Sequence, residues 1–187
     1  MSIGLIVLLV VVVLAFLLIG VYNRLVALRQ NTNQAFADID VQLKQRNDLI
    51  PNLVETVKGY ATHEKGTLEA VTNARAAAAS ARSVDEKVAA DNMMTGALRQ
   101  LFAVSEAYPD LKANQNFLQL QNELGDIENK LAAARRFFNN AVSEYNTSLQ
   151  QFPAAMVAGP FGFQQRTFFD LGEERAAMSQ APQVKFN

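Results

Sequence analysis

The sequence contains no cysteine and only one histidine, His63, among its 187 residues. Without cysteine, the chain can form no disulfide, thiolate metal site or cysteine nucleophile. One histidine cannot supply the two Glu-x-x-His pairs of a di-iron bundle, nor the two histidines of a zinc protease motif. We therefore expect no metal ion and no cofactor.

Charge of either sign is also not in excess, because 17 basic residues nearly balance 18 acidic ones. A nucleic-acid partner would require a basic face for the phosphates, and we expect no such partner. Phosphate-binding loops, dinucleotide fingerprints and nucleophile elbows are absent as well. The sequence therefore predicts a protein without enzymatic activity.

One long apolar run is present, over residues 3–21, and the first charged side chain after it is Arg24. At 1.5 Å per residue this run is about 28 Å long, close to the thickness of the hydrocarbon layer. A cleaved signal peptide would have a basic start, a shorter run and a small-x-small cleavage site, which this segment lacks. We expect an uncleaved transmembrane anchor (residues 1–23) in the lipid bilayer. Arg24 and Arg29 then place the following domain in the cytoplasm and the N-terminus outside, by the positive-inside rule.

The rest of the chain has the apolar spacing of long helices. Steps of three and four from Phe36 to Tyr60 predict that the anchor continues as a helix over 24–81, which Pro51 should kink or locally break. A Ser83–Glu86 capping box predicts a helix over 84–108. Heptad-like spacing, typical of coiled-coil packing, predicts another over 113–152, and a short one should cover 154–158.

The predicted fold class is therefore all-α. An N-terminal transmembrane helix continues into an antiparallel bundle of three long helices and a short one, over residues 24–158. Residues 159–187 change in character, with Gly, Pro and four phenylalanines close together. We expect them to form an irregular C-terminal strap whose aromatic side chains pack on the bundle.

Arg46 interrupts the apolar stripe between Leu43 and Ile50. Its aliphatic stem could lie on the core with the charged head at the edge. Alternatively, it could form a buried ion pair that fixes helix register. The candidate partners for that pair are Asp48, Glu123 and Asp126.

Arg135 and Arg136 form a short basic pair, which is either a solvated helix face or a site for a phosphate or a lipid headgroup. Pro51 and Asn52 complete the candidate structural and interaction positions. No catalytic, cofactor-binding or metal-binding residue is predicted.

Several segments resemble the LemA family. The longest are residues 40–54 (DVQLKQRNDLIPNLV) and 57–64 (VKGYATHE); shorter ones are YN at 22–23 and 145–146, YPDLKAN at 108–114, ARRFFN at 134–139, FP at 152–153 and GPFGF at 159–163. The resemblance implies a bacterial cytoplasmic-membrane protein with one N-terminal span, a small external N-terminus and a helical bundle. It implies no established catalytic activity, and it carries associations with membrane organisation and with membrane metalloproteases.

Together these observations predict a membrane-anchored scaffold or interaction protein. We expect it to assemble with copies of itself or with other membrane proteins, because three helices leave part of a long first helix uncovered. Two alternatives remain: a binding module for a lipid headgroup or small ligand, and an accessory factor to a membrane protease.

Overall fold

The computed structural model describes residues 2–61 and 63–169. Within these ranges every regular element is an α-helix, which confirms the all-α class. The six helices are α1 (Ile3–Lys58), α2 (Lys65–Ser80), α3 (Val84–Ser105), α4 (Pro109–Lys112), α5 (Gln115–Gln150) and α6 (Ala154–Ala158).

Helix α1 continues from the apolar run into the folded domain without interruption, as predicted. The break expected at Pro51 is wrong, because α1 contains Pro51 and ends only at Lys58. Pro51 is exposed, so its ring meets solvent, while the fully buried Ile50 and Leu53 hold the turns on either side. The helix ends where Gly59 follows, a residue that loses more entropy in a helix than any other.

The predicted helix over 24–81 is therefore two helices, and the described chain has four helices of 16 or more residues where three were expected. The capping box is confirmed. Ser83 Oγ accepts from the Glu86 amide at 3.1 Å, and Glu86 Oε2 accepts from the Ser83 amide at 3.1 Å. Helix α6 has the predicted bounds. Helix α4 was not predicted; Pro109 occupies its first turn, where a missing amide hydrogen costs nothing.

The chain divides into two compact units. The first unit comprises the described residues of 1–39 and 133–168. Its core is a cluster from α1, α5, α6 and the strap: Leu25, Leu28, Tyr145, Leu149, Ala158 and Phe163.

The second unit comprises the described residues of 40–132 together with Phe169. Five helices, α1 to α5, share one core, which includes Ile50, Leu53, Val57, Val71, Ala74, Met94, Leu98, Leu101, Leu111, Phe117, Leu120 and Leu124. These positions follow the helical spacing of the sequence. Tyr60 and Phe152, which the same stripes placed inside, are 42% and 81% exposed.

The strap is irregular over its described part, residues 159–169. Phe163 and Phe169 are buried, whereas Phe161 and Phe168 are exposed, so only half of the four phenylalanines pack inward. Residues 170–187 of the predicted strap lie outside the described residues.

Candidate functional site

A buried charged cluster lies inside the second unit, centred on Arg46 of α1. Arg46 is 3% exposed. Its Nη1 lies 2.8 Å from Asp91 Oδ1 and 3.2 Å from Glu128 Oε2, and its Nη2 donates to Thr95 Oγ1 at 2.8 Å. Asp91 and Thr95 are one turn apart on α3, and Glu128 is on α5. This Arg46 cluster therefore joins three helices through one guanidinium group.

The cluster decides between the two predictions for Arg46. The charged head is buried, so the exposed-head alternative is wrong and the buried ion pair is present. Its expected partners are wrong. Asp48 pairs with Lys44 at 2.5 Å, Glu123 accepts from Gln119 at 2.8 Å, and Asp126 is exposed.

Asp91 was missed because it lies 45 residues from Arg46 in sequence. The sequence nevertheless contains a pattern that indicates a buried position for Asp91. Asp91 is three residues before Met94 and seven before Leu98, so it occupies the inward stripe of α3. A carboxylate in an apolar stripe needs a cationic partner, and Arg46 is the cation that occupies such a stripe on α1.

The electrostatics of the cluster favour a structural role. The guanidinium group of Arg46 has five N–H donors and no acceptor atom, so it binds carboxylate and hydroxyl oxygens. It faces two carboxylates, of which Asp91 is 1% exposed and Glu128 is 44% exposed, so solvent reaches the second one. The arrangement can hold α1, α3 and α5 in one register.

A cleft of about 330 Å³ opens beside the Arg46 cluster, between α1, α2 and α3. Its charged residues include Lys87 and Asp40, which form an ion pair. Arg46 Nε and Asn47 Oδ1 are buried, and neither has a hydrogen-bond partner among the described residues. The remaining lining is mostly small and apolar: Leu43, Met94, Ala78, Ala79, Ala81 and Ala90.

Two of the predicted positions share a second, shallower groove. Asn52 of α1 and Glu123 of α5 both line a space of about 310 Å³, together with Gln119 and Thr56. The Asn52 carbonyl accepts from the Thr56 hydroxyl at 2.8 Å. Pro51 is exposed on α1 and is not part of the lining.

The two residues of the predicted basic pair, Arg135 and Arg136, differ in their exposure to solvent. Arg135 is 8% exposed, whereas Arg136 is exposed. Consecutive residues of an α-helix point about 100° apart, so the two guanidinium groups do not share a face. A joint headgroup site would have to bridge these two directions, and it stays a prediction. His63 is exposed in the turn after α1, and no group of three or more His, Asp or Glu in the described ranges could hold a metal ion.

Another part of the second unit is stabilised by polar contacts around Tyr108, the residue before α4. Its hydroxyl donates to Glu64 Oε1 at 3.1 Å. This hydrogen bond to a carboxylate, aided by burial, raises the pKa of Tyr108 above its usual value. Asn114 caps α5 through the Phe117 amide at 3.0 Å and donates to the Tyr60 hydroxyl at 2.9 Å.

The first unit contains the apolar run. Helix α1 is, among the described residues, the one helix long and apolar enough to cross a membrane, and none of its apolar window is buried inside the chain. Directly after the run, the Tyr22 ring contacts Phe161 and Phe163 edge-on, at centroid distances of 5.3 and 5.6 Å. An unburied apolar helix of this length is typical of a membrane-associated helical protein.

The chain belongs to the LemA family, whose sequence model matches residues 35–186. It is 26% identical to Protein LemA of Metamycoplasma hominis over 84% of this chain and 73% of that protein. It is also 24% identical to Magnetosome protein MamQ 2 of Paramagnetospirillum magneticum, and 21% identical to Magnetosome protein MamQ of Magnetospirillum gryphiswaldense. Each of these two matches covers 79% of this chain, which spans 64% of the length of either relative.

Proposed function

We propose that this protein is a membrane-anchored scaffold of the bacterial cytoplasmic membrane that binds protein partners and has no catalytic activity. One observation carries the proposal: the apolar window of α1 has no buried residue, whereas later turns of the same helix are buried. An apolar helix with no partner inside its own chain requires lipid or other helices. The magnetosome relatives support a function at a membrane.

Charged residues introduced into the middle of the apolar run test whether it anchors the chain in the membrane. The double substitution Val11→Lys and Val12→Lys should release the chain from carbonate-washed membranes, because each lysine costs about 3 kcal/mol at the bilayer centre. The matched control, Val11→Leu with Val12→Leu, should remain in the membrane fraction. A lysine variant that stays fully in the membranes would contradict the anchor.

We propose other copies of this chain as the first candidate partners of the scaffold. Outside the apolar run, the described parts of α1, α3, α5 and α6 expose large apolar side chains, including Val41, Met93, Leu118 and Phe137. Photo-crosslinkers at these four positions, in cells carrying two differently tagged copies, should yield doubly tagged products or adducts with other membrane proteins, a membrane protease included. A crosslinker at the exposed Arg136 serves as a polar control. Adducts at none of the apolar positions would contradict the scaffold function.

The cleft beside the Arg46 cluster favours a second candidate function, the binding of a small ligand. Its volume of about 330 Å³ lies at the lower end of the range for ligand sites. Full-length protein purified in detergent should then retain a small molecule that native mass spectrometry detects. Ala79→Leu, which fills the cleft, should lose it, and Ala76→Leu on the same helix should keep it. Equal retention of the small molecule by both variants would exclude the cleft as its binding site.

A further inference from the structure

The aromatic group at the end of the apolar run has a fixed position relative to a bilayer that α1 spans. Tyr22 is the first residue after the run of 3–21, so it lies at one boundary of the hydrocarbon layer. Side chains on a helix tilt toward its N-terminus, so the Tyr22 ring is directed toward the apolar run. Phe161, with its ring centroid 5.3 Å from that ring, lies within about one helical turn of this level.

Phe161 and Phe163 have opposite environments although one residue separates them. Phe163 is 6% exposed and belongs to the core of the first unit with Leu25 and Leu28. Phe161 is 61% exposed. A rigidly held phenylalanine in water is unfavourable, whereas aromatic side chains are enriched at the headgroup level of membranes.

The backbone fixes this division. The Phe163 amide donates to the Ala158 carbonyl at 2.9 Å, and the Gly162 amide donates to the Gly159 carbonyl at 3.0 Å. Gly162 has φ +69°. These two bonds with a left-handed glycine form a Schellman motif, which turns Phe163 back onto the core and leaves Phe161 at the outside of the turn.

Side chains of α1 and α5 hold the segment after the turn. Asn146 donates from Nδ2 to the Arg166 carbonyl at 2.8 Å, and its Oδ1 accepts from the Arg166 amide at 2.9 Å. The Arg29 guanidinium lies over the Phe163 ring at 5.1 Å. Arg29 therefore places a cation beside the aromatic group, which suits a leaflet that contains anionic lipids.

We propose that the turn at Phe161 is a second membrane contact. Phe161 enters the boundary between headgroups and acyl chains of the leaflet from which α1 emerges, and Tyr22 supports it from the anchor side. The occupant of this exposed aromatic surface is the lipid bilayer, because the surface is continuous with the transmembrane run. The proposal rests on the anchoring of α1.

The chain contains no tryptophan, so a single substitution creates a unique fluorescent reporter. Full-length Phe161→Trp is reconstituted into vesicles of phosphatidylethanolamine with a minority of phosphatidylglycerol, with lipids brominated either near the top or near the end of the acyl chain. The control is Phe137→Trp, which is similarly exposed at 57%. Its neighbour Phe138 packs on Phe36, about 21 Å along α1 from Tyr22.

We expect lipids brominated near the top of the chain to quench most of the Phe161→Trp fluorescence and to leave the Phe137→Trp control unquenched. Equal quenching of the two reporters would overturn the proposal. So would a blue shift of Phe161→Trp that depends on protein concentration and not on brominated lipid, because a second copy would then cover the surface.

A third reporter, Phe16→Trp inside the apolar run, separates this proposal from the anchor itself. If Phe16→Trp is quenched and Phe161→Trp is not, the anchor stands and the second contact is wrong. If neither is quenched, both fail. Should Phe161→Trp not fold, Phe161→Cys labelled with a polarity-sensitive dye gives the same readout, since the chain has no other cysteine.

Discussion

Arg46 combines a high desolvation cost with a specific set of partners. Taking a guanidinium group out of water costs several kcal/mol, which only close opposite charges and hydrogen bonds can offset. The opposite charges come from Asp91 at 2.8 Å and Glu128 at 3.2 Å. A hydrogen bond comes from the Thr95 hydroxyl at 2.8 Å. Each partner depends on the others, because a carboxylate such as Asp91 is equally costly when buried alone.

Arg46→Met should lower the free energy of unfolding by about 3–5 kcal/mol, since it breaks the buried ion pair in which Arg46 Nη1 lies 2.8 Å from Asp91 Oδ1. Adding Asp91→Leu should restore a large part of that loss. Lys44→Met removes a surface pair whose partners are 75% and 58% exposed, and it should cost less than about 1 kcal/mol. Denaturation followed by circular dichroism in detergent measures all three. An Arg46→Met chain as stable as the Lys44→Met control would show that the cluster contributes nothing.

Glu86 gives a prediction for pH. The backbone amides of Arg82 and Ser83 donate to its carboxylate and lower the pKa of Glu86 below its ordinary value of 4.5. Because the folded pKa is the lower one, the stabilisation is present above the ordinary value and is lost as pH falls through the folded pKa. The melting temperature of the native chain should therefore exceed that of Glu86→Gln at neutral pH, and the difference should shrink below about pH 4. A difference independent of pH would contradict the role of the charge.

At the scale of elements, local chemistry sets several boundaries. The Ser83–Glu86 pair begins α3, Pro153 precedes α6, and Gly162 ends the turn after α6. Only the last of these requires a conformation that other residues avoid. A Cβ atom added at Gly159 or at Gly162 would meet no other atom within 4 Å, yet Gly159 has φ −60° and Gly162 has φ +69°.

Gly162→Ala should therefore destabilise the first unit by about 1–2 kcal/mol, the cost of a left-handed conformation for an L-residue. Gly159→Ala is the matched control and should be neutral or stabilise the protein by a few tenths of a kcal/mol. Thermal melting gives the difference, and hydrogen exchange at Phe163 locates it. Equal effects of the two substitutions would contradict the Schellman geometry.

The same elements show what can be predicted from sequence. A capping box depends on residues three apart, so Ser83 and Glu86 suffice to locate the start of α3. The break predicted at Pro51 fails because the buried Ile50 and Leu53 keep α1 helical through it. Asp91 cannot be assigned to Arg46 from local spacing, because that pairing depends on how α1 and α3 pack.

At the scale of the whole molecule, the family and the apolar run identify a membrane-associated helical protein, while its side of the membrane depends on the charge rule alone. Arg24 and Arg29, which follow the run, predict that the domain lies in the cytoplasm. Exposed positions before the run and in the domain after it allow a direct test of which side of the membrane each lies on.

In intact cells, Asn73→Cys on α2 should resist a membrane-impermeant maleimide and react after the cells are broken open. Ser2→Cys should react in intact cells. Both positions are exposed, and the chain has no other cysteine, so each label is unique. The opposite pattern would place the domain outside the cytoplasm and would leave the anchor unaffected.

The contact of Tyr22 with Phe161 and Phe163 has a consequence for biosynthesis. The two sides of the contact are about 140 residues apart in the chain, so a ribosome making 5–20 residues per second needs roughly seven to thirty seconds to supply the second side. During that interval Leu25 and Leu28 of the newly made α1 lack the Phe163 that later covers them. The apolar run is therefore synthesised, with no partner inside its own chain, well before the first unit can fold.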